Sequence, residues 1–159
     1  MLTGGSVVSE GALVIVTPAA SGTQTTTVSY QMHNGSNMLD VNLDGVAHYF
    51  SPSAITSLDY LGNSASGSQT FEDSTTLSIY AFGGSGTNLF EGGSGTDAFF
   101  GGSGSNTFDA GTGFDQLVGG FGTNVFNENA AGSGIIEEAG FSNTVNVPPG
   151  ETGAYFIIF

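Results

Sequence analysis

From residue 83 to residue 127 the chain reads GGSGTNLFE (83–91), GGSGTDAFF (92–100), GGSGSNTFD (101–109), AGTGFDQLV (110–118) and GGFGTNVFN (119–127), five nonapeptides with no residue inserted or lost between them. Position four is always Gly, position six is always Asn or Asp, and position eight is Phe or Leu. A fixed short period marks a stacked repeat architecture, in which each unit buries its apolar residue only against its neighbours. The first six residues of each unit read as a tight turn, whose glycines supply positive φ and close backbone approach, and the last three as a short strand. Phe90, Phe99, Phe108, Leu117 and Phe126 are then expected to point inward and stack as the core ladder. A flexible Gly/Ser linker would need no apolar residue in strict register, so the block is not read as disorder.

Position six in order is Asn88, Asp97, Asn106, Asp115 and Asn124, a strict alternation. If successive repeats occupy opposite edges of the stack, all three Asn fall on one edge and both Asp on the other. The Asn edge can satisfy itself as a ladder of side-chain amides and needs no ion. The Asp edge cannot, because carboxylates only accept hydrogen bonds.

These nonapeptides resemble the repeats-in-toxin (RTX) family of hemolysin-type calcium-binding repeats, whose pattern is G-G-x-G-x-D-x-U-x with U a large apolar residue. The resemblance covers residues 83–127, a little under a third of the chain. It implies an all-β fold, a right-handed parallel β-roll or β-solenoid in which two nonapeptides complete one coil. It also implies calcium held between turns stacked on the same side, by position-six Asp and turn carbonyls. Here that points to one calcium site between the turns carrying Asp97 and Asp115, with Gly93, Gly95, Gly111 and Gly113 as the turn residues. The chain departs from the family pattern on the Asn edge, where the anionic ligands are replaced.

Composition points the same way. The chain has no Lys and no Arg against 14 Asp plus Glu, for a formal net charge of −14. Binding to nucleic acid or to an anionic membrane surface is excluded for want of cations. No carboxylate can find a Lys or Arg partner, so each must be solvated, hydrogen-bonded or bound to a cation, and divalent ions would relieve the mutual repulsion. There are no cysteines, hence no disulfide or thiolate site. The N-terminus lacks a basic region of the secretory kind, and the apolar run 12–16 is far too short to span a membrane. The expectation is an extracellular or cell-surface protein that is already processed, exported by another route, or cut from something larger.

The rest of the chain is read as one continuous solenoid with the repeats: a strand-rich region over 1–82 that runs into the nonapeptides of 83–127, then a C-terminal β segment with an apolar terminal strand over 128–159. Strands are expected at 12–17, 25–31, 38–43, 46–50, 55–61 and 76–82, from their Val, Ile, Tyr and Thr content and the Gly, Ser, Asn and Pro between them. Asp44-Gly45 is a two-residue hairpin signal. The closing segment Ala154 to Phe159, after Pro148-Pro149, has three readings: a core or cap strand, a strand that pairs with another subunit, or an export signal, for which Glu151 and the terminal FIIF are a partial fit.

Other candidate chemistry is sparse. Asp40, Asn42, Asp44 and Gly45 match the first half of an EF-hand loop, but position twelve is Ser51 in place of Glu, and the neighbours alternate as strands, which favours a hairpin. His33 and His48 lie in no metal-ligand spacing. The acid pairs Glu72-Asp73 and Glu137-Glu138 read as solvated faces. No nucleophile, base and oxyanion donor come together, so the chain is not read as an enzyme. The leading expectation is a structural protein that assembles with copies of itself, head to tail, into a filament or surface matrix with calcium assisting. The alternative is a calcium-dependent binding or export module of a larger secreted protein or adhesin.

Overall fold

The structure is a computed structural model that describes residues 4–62, 66–128, 131–137, 142–147 and 155–158. Its strands are β1 (Ser6–Glu10), β2 (Leu13–Thr17), β3 (Gln24–His33), β4 (Ser36–Leu43), β5 (Val46–Phe50), β6 (Ser57–Leu61), β7 (Gln69–Asp73) and β8 (Ser78–Phe82), followed by β9 (Thr87–Glu91), β10 (Ala98–Phe100), β11 (Ser105–Asp109), β12 (Phe114–Val118), β13 (Thr123–Asn127), β14 (Ser133–Glu137), β15 (Ser142–Asn146) and β16 (Tyr155–Ile158). The described residues hold no α-helix, only a 3-10 turn at Pro52–Ala54.

The strands form two eight-stranded sheets, one in the order β1-β2-β6-β8-β10-β12-β14-β16 and the other β15-β13-β11-β9-β7-β3-β4-β5. From β6 onward the chain alternates between the sheets, so every pair of strands completes one coil of a parallel β-solenoid. Phe90, Phe108 and Phe126 fall opposite one another in register, two nonapeptides apart.

In four of the five repeats the strand is longer than expected, whereas β10 has the three residues expected. The longer strands β9, β11, β12 and β13 begin at position five, leaving four residues for the turn. Side chains alternate along a strand, so positions six and eight face the same way. Both are inward: position eight is fully buried in all five repeats, and so is position six, at 1 % exposure or less. The interior therefore carries a central apolar column flanked by two polar ones. Phe108 stacks between Phe90 at 5.6 Å and Phe126 at 5.0 Å, and Phe99 meets Phe90 from the opposite sheet at 5.5 Å. Burying each ring is worth roughly 2–3 kcal/mol, which offsets the backbone entropy of a glycine-rich chain.

The strands expected before the repeats appear as β2 to β6 and β8, with β1 and β7 in addition, and β14 and β15 fall in the C-terminal β segment expected over 128–159. At the N-terminal end the parallel pattern gives way to antiparallel pairing of β1 on β2, β4 on β3 and β5 on β4. The two hairpins of the second sheet turn at Asn34-Gly35 and Asp44-Gly45, all four residues at positive φ.

Candidate functional site

The two polar columns differ in kind. On the second sheet Asn88 Nδ2 donates to Asn106 Oδ1 at 2.7 Å, Asn106 Nδ2 to Asn124 Oδ1 at 2.8 Å, and Asn124 Nδ2 to Asn143 Oδ1 at 2.8 Å. The same amides reach the turn backbone, as when Asn106 Nδ2 donates to the Gly119 carbonyl at 3.1 Å. Donor meets acceptor at every rung, so the amide ladder expected from the sequence is present and runs one rung beyond the repeats. Asn143 could have been found: SNTVN (142–146) reproduces the SNTFD of 105–109 with Val in the Phe position and Asn in the Asp position. Outside these turns runs an open groove of about 500 Å³, lined by glycines and by the hydroxyls of residues such as Ser85, Thr87, Ser103 and Ser105.

The opposite edge is built from the turns that enter β8, β10 and β12. Asp97 and Asp115 do fall on it together. Each reaches back one coil: the Ile79 amide donates to Asp97 Oδ1 at 3.0 Å, and the Asp97 amide to Asp115 Oδ1 at 3.0 Å. Asp73, at the end of β7, joins this edge, its Oδ1 accepting from the Thr75 amide at 3.0 Å. The second oxygens of Asp73, Asp97 and Asp115 are buried and have no hydrogen-bond partner. Asp73, expected on a solvated face, is 6 % exposed. The nonapeptide pattern carries no signal for it, since the turn that follows, Ser74 to Leu77, contains no glycine.

Burial sets the protonation of these groups. It pushes the Asp97 carboxyl up to about 7, with a further rise from the charges of Asp115 and Asp73, against the lowering effect of the Ile79 amide. Burial likewise pushes Asp73 and Asp115 up to about 6. An ionised carboxylate with one orphaned oxygen is a costly state in the interior, relieved by a proton or a cation.

The turn glycines named from the sequence make this edge possible by close approach. A Cβ on Gly95 would overlap the Leu77 carbonyl and sit 3.3 Å from Asp97 Oδ1, and one on Gly113 would overlap the Gly95 carbonyl and sit 3.6 Å from Asp115 Oδ1. A Cβ on Gly111 would run into the Gly92 and Gly93 carbonyls, and one on Gly93 would fall 2.5 Å from Asp73 Oδ2. The edge thus sets hard carboxylate and carbonyl oxygens side by side, a donor set that suits calcium better than softer metals. Among the described residues no three His, Asp or Glu side chains converge on one point, so an ion here would draw on carbonyls and water besides two carboxylates.

The remaining candidates are engaged elsewhere. Asn42 Oδ1 accepts from the Gly45 amide and Asp44 Oδ1 from the Thr25 amide, each at 2.8 Å, which uses the EF-hand-like oxygens within the hairpin. Asp40 is buried in β4 with Oδ1 unpartnered. His33 stacks on Tyr49 at 3.8 Å, and His48 lines a hollow with Gly4, Gly5 and Leu43. Glu137 accepts from Gln116 Nε2, while Glu138, Pro148-Pro149, Glu151 and Phe159 lie outside the described residues. Of the terminal segment, Tyr155–Ile158 pairs in parallel with β14. No helix among the described residues is long and apolar enough to cross a membrane.

Comparison with protein-family models, with curated proteins and with solved structures finds no match for this chain in any of the three.

Proposed function

We propose that the protein is an extracellular structural protein whose solenoids join head to tail into filaments, with calcium on the Asp edge stiffening each coil stack. The observation that carries this reading is the match between the two ends. Where the coils stop, β16 extends the first sheet one strand beyond β15. Where they begin, β4 and β5 extend the second sheet two strands beyond β3, while only β1 extends the first sheet beyond β2. One end therefore protrudes by a strand on the sheet where the other is recessed by a strand, a step of about 4.8 Å. Stacking two copies by translation brings β16 against β1 of the next copy in antiparallel sense, and β15 against its β5 in parallel sense.

Apolar surface at both ends supports the same reading. Ile157 continues the buried column of Ile136 yet is 38 % exposed, and Ile158 is more exposed still, while Val46 and Tyr49 are exposed on β5. Such edges add further strands, and a contact that joins unlike ends does not close. Negative-stain microscopy and light scattering, with calcium and with a chelator, test the proposal: filaments are expected in calcium. A monomer at every concentration in millimolar calcium would overturn it and move the reading to a calcium-dependent binding or export module.

A further inference from the structure

Position nine of the repeats reads Glu91, Phe100, Asp109, Val118 and Asn127, alternating between polar and apolar as position six alternates between Asn and Asp. Side chains at this position point outward, and successive repeats lie in opposite sheets, so the alternation gives the two outer faces different surfaces. On the second sheet Glu72, Glu91 and Asp109 stand in register as a row of carboxylates. On the first sheet the matching row is Leu61, Phe82, Phe100 and Val118, an unbroken apolar ladder in which the Phe82 and Phe100 rings stack at 4.8 Å. Beside it Ile15, Asp59, Tyr80, Ala98, Gln116 and Ile135 share one register column.

This face is open to solvent, with Tyr80, Phe114 and Ile158 each about half exposed on it. Its eight strands span about 34 Å by about 17 Å, or roughly 600 Å² of flat sheet on each copy. Two such faces bury about 1,200 Å² or more, which reaches the range of stable protein interfaces. A net charge of −14 makes any contact between copies repulsive where carboxylates meet, and a cationic partner is drawn to the acidic face instead. The carboxylates of the apolar face, among the described residues, are Glu10 on the edge strand, Asp59, and Glu137, whose Oε1 accepts from Gln116 Nε2 at 3.1 Å. A second copy therefore meets less repulsion here than on the acidic face.

We propose that the outer face of the first sheet receives a second copy of this chain, the two solenoids lying antiparallel and face to face about a two-fold axis that runs along the strands midway between β8 and β10. That axis sets β8 against β10 of the other copy and β6 against its β12. Large side chains then meet small ones, Tyr80 against Ala98 and Phe114 against Ser57, while Phe82 meets Phe100 and Leu61 meets Val118. Asp59 falls opposite Gln116, whose amide has a second N–H to donate, so this carboxylate gains a partner in place of a like charge. The sheets pack about 10 Å apart, and an isologous contact of this kind closes at two copies. It uses the sheet face, leaves both ends free, and stands independently of the head-to-tail joining.

Sedimentation velocity of the full chain in chelator, over a range of concentrations, tests the pairing, and a monomer–dimer equilibrium is expected. Phe100→Ser removes a ring from each side and should weaken the dimer by about tenfold or more. Val125→Ser, a similar truncation on the outer face of the second sheet, should leave it unchanged. Gln116→Glu sets a carboxylate against Asp59 and should also weaken the dimer, with Asp59→Asn added to it recovering much of the loss. The chain has no cysteine, so mixing Asp59→Cys chains with Gln116→Cys chains should give heterodimers with a short bis-maleimide more readily than either variant alone gives homodimers. Tyr80→Ser serves if Phe100→Ser does not fold, as judged by circular dichroism. Dimers indifferent to both the face truncation and Gln116→Glu would overturn the assignment to this face. A parent that is monomeric at every concentration would overturn the pairing, and its sedimenting with neutral-lipid vesicles would then assign the face to a lipid surface. Pairs without filaments in calcium would support this interface and remove the head-to-tail joining.

Discussion

Replacing Asp97 by Asn should stabilise the ion-free protein at about pH 8 and abolish most of its response to calcium. The two side chains have the same shape, and the Asn Oδ1 keeps the bond from the Ile79 amide. What changes is the orphaned Oδ2, which becomes an amide donor in a turn rich in carbonyls. A carboxyl whose pKa rises from 3.8 to about 7 on folding is penalised, when ionised, by roughly 4 kcal/mol at about 1.4 kcal/mol per tenfold change in proton affinity. Imperfect hydrogen bonding of the new amide costs about 1–2 kcal/mol, so a net gain of about 2–3 kcal/mol is expected. The sign follows from linkage: the folded state holds the proton more tightly than the unfolded chain, so stability is fully present below about pH 4 and is lost as pH rises through 6 to 7. The advantage of the variant should accordingly vanish near pH 4. Urea unfolding in chelator and in calcium, across this pH range, measures both effects. A variant less stable than its parent in chelator at about pH 8, or equally responsive to calcium, would refute the reasoning.

The mirror substitution, Asn106→Asp, puts an unpaired charge into the amide ladder and removes donors to Asn124 and to the Gly119 carbonyl, at a cost of about 3 kcal/mol or more at neutral pH, read by the same unfolding assay. Phe108→Ala leaves a hole between Phe90 and Phe126 and should lower stability by about 3–5 kcal/mol, whereas Val145→Ala, at the half-buried end of that column, should cost clearly less. On the outer face Glu72, Glu91 and Asp109 lie side by side in register, with burial and the charges of its two neighbours raising the Glu91 pKa. Glu91→Gln should therefore raise the melting temperature at low ionic strength, with the gain shrinking as salt is added.

Much of the fold could be read from the 83–127 segment because its period is unbroken. Position six and position eight recur every nine residues, so their sidedness follows from strand geometry alone. That was enough to place the Phe ladder, to separate the Asn edge from the Asp edge, and to expect amides hydrogen-bonded rung to rung. In four repeats the strand is longer than the spacing predicts because positions five and six, given to the turn, already pair in the sheet once the chain leaves Gly at position four.

Outside that segment the coils are no longer uniform in length. Phe71 lies opposite Phe90, nineteen residues on, and Leu58 opposite Ile79, twenty-one residues on, against eighteen within the repeats. A variable offset erases the period, and so hides which residues share a rung. The sequence by itself determined the stacked coil, its inward column and the chemical difference between its two edges, because each depends on spacing along the chain. Only the tertiary structure brought Asp73 beside the turn of Asp97 and shaped the stepped ends. Those depend on how far each turn travels before the next strand pairs, which is set by backbone hydrogen bonding and packing between coils and not by any one residue's identity.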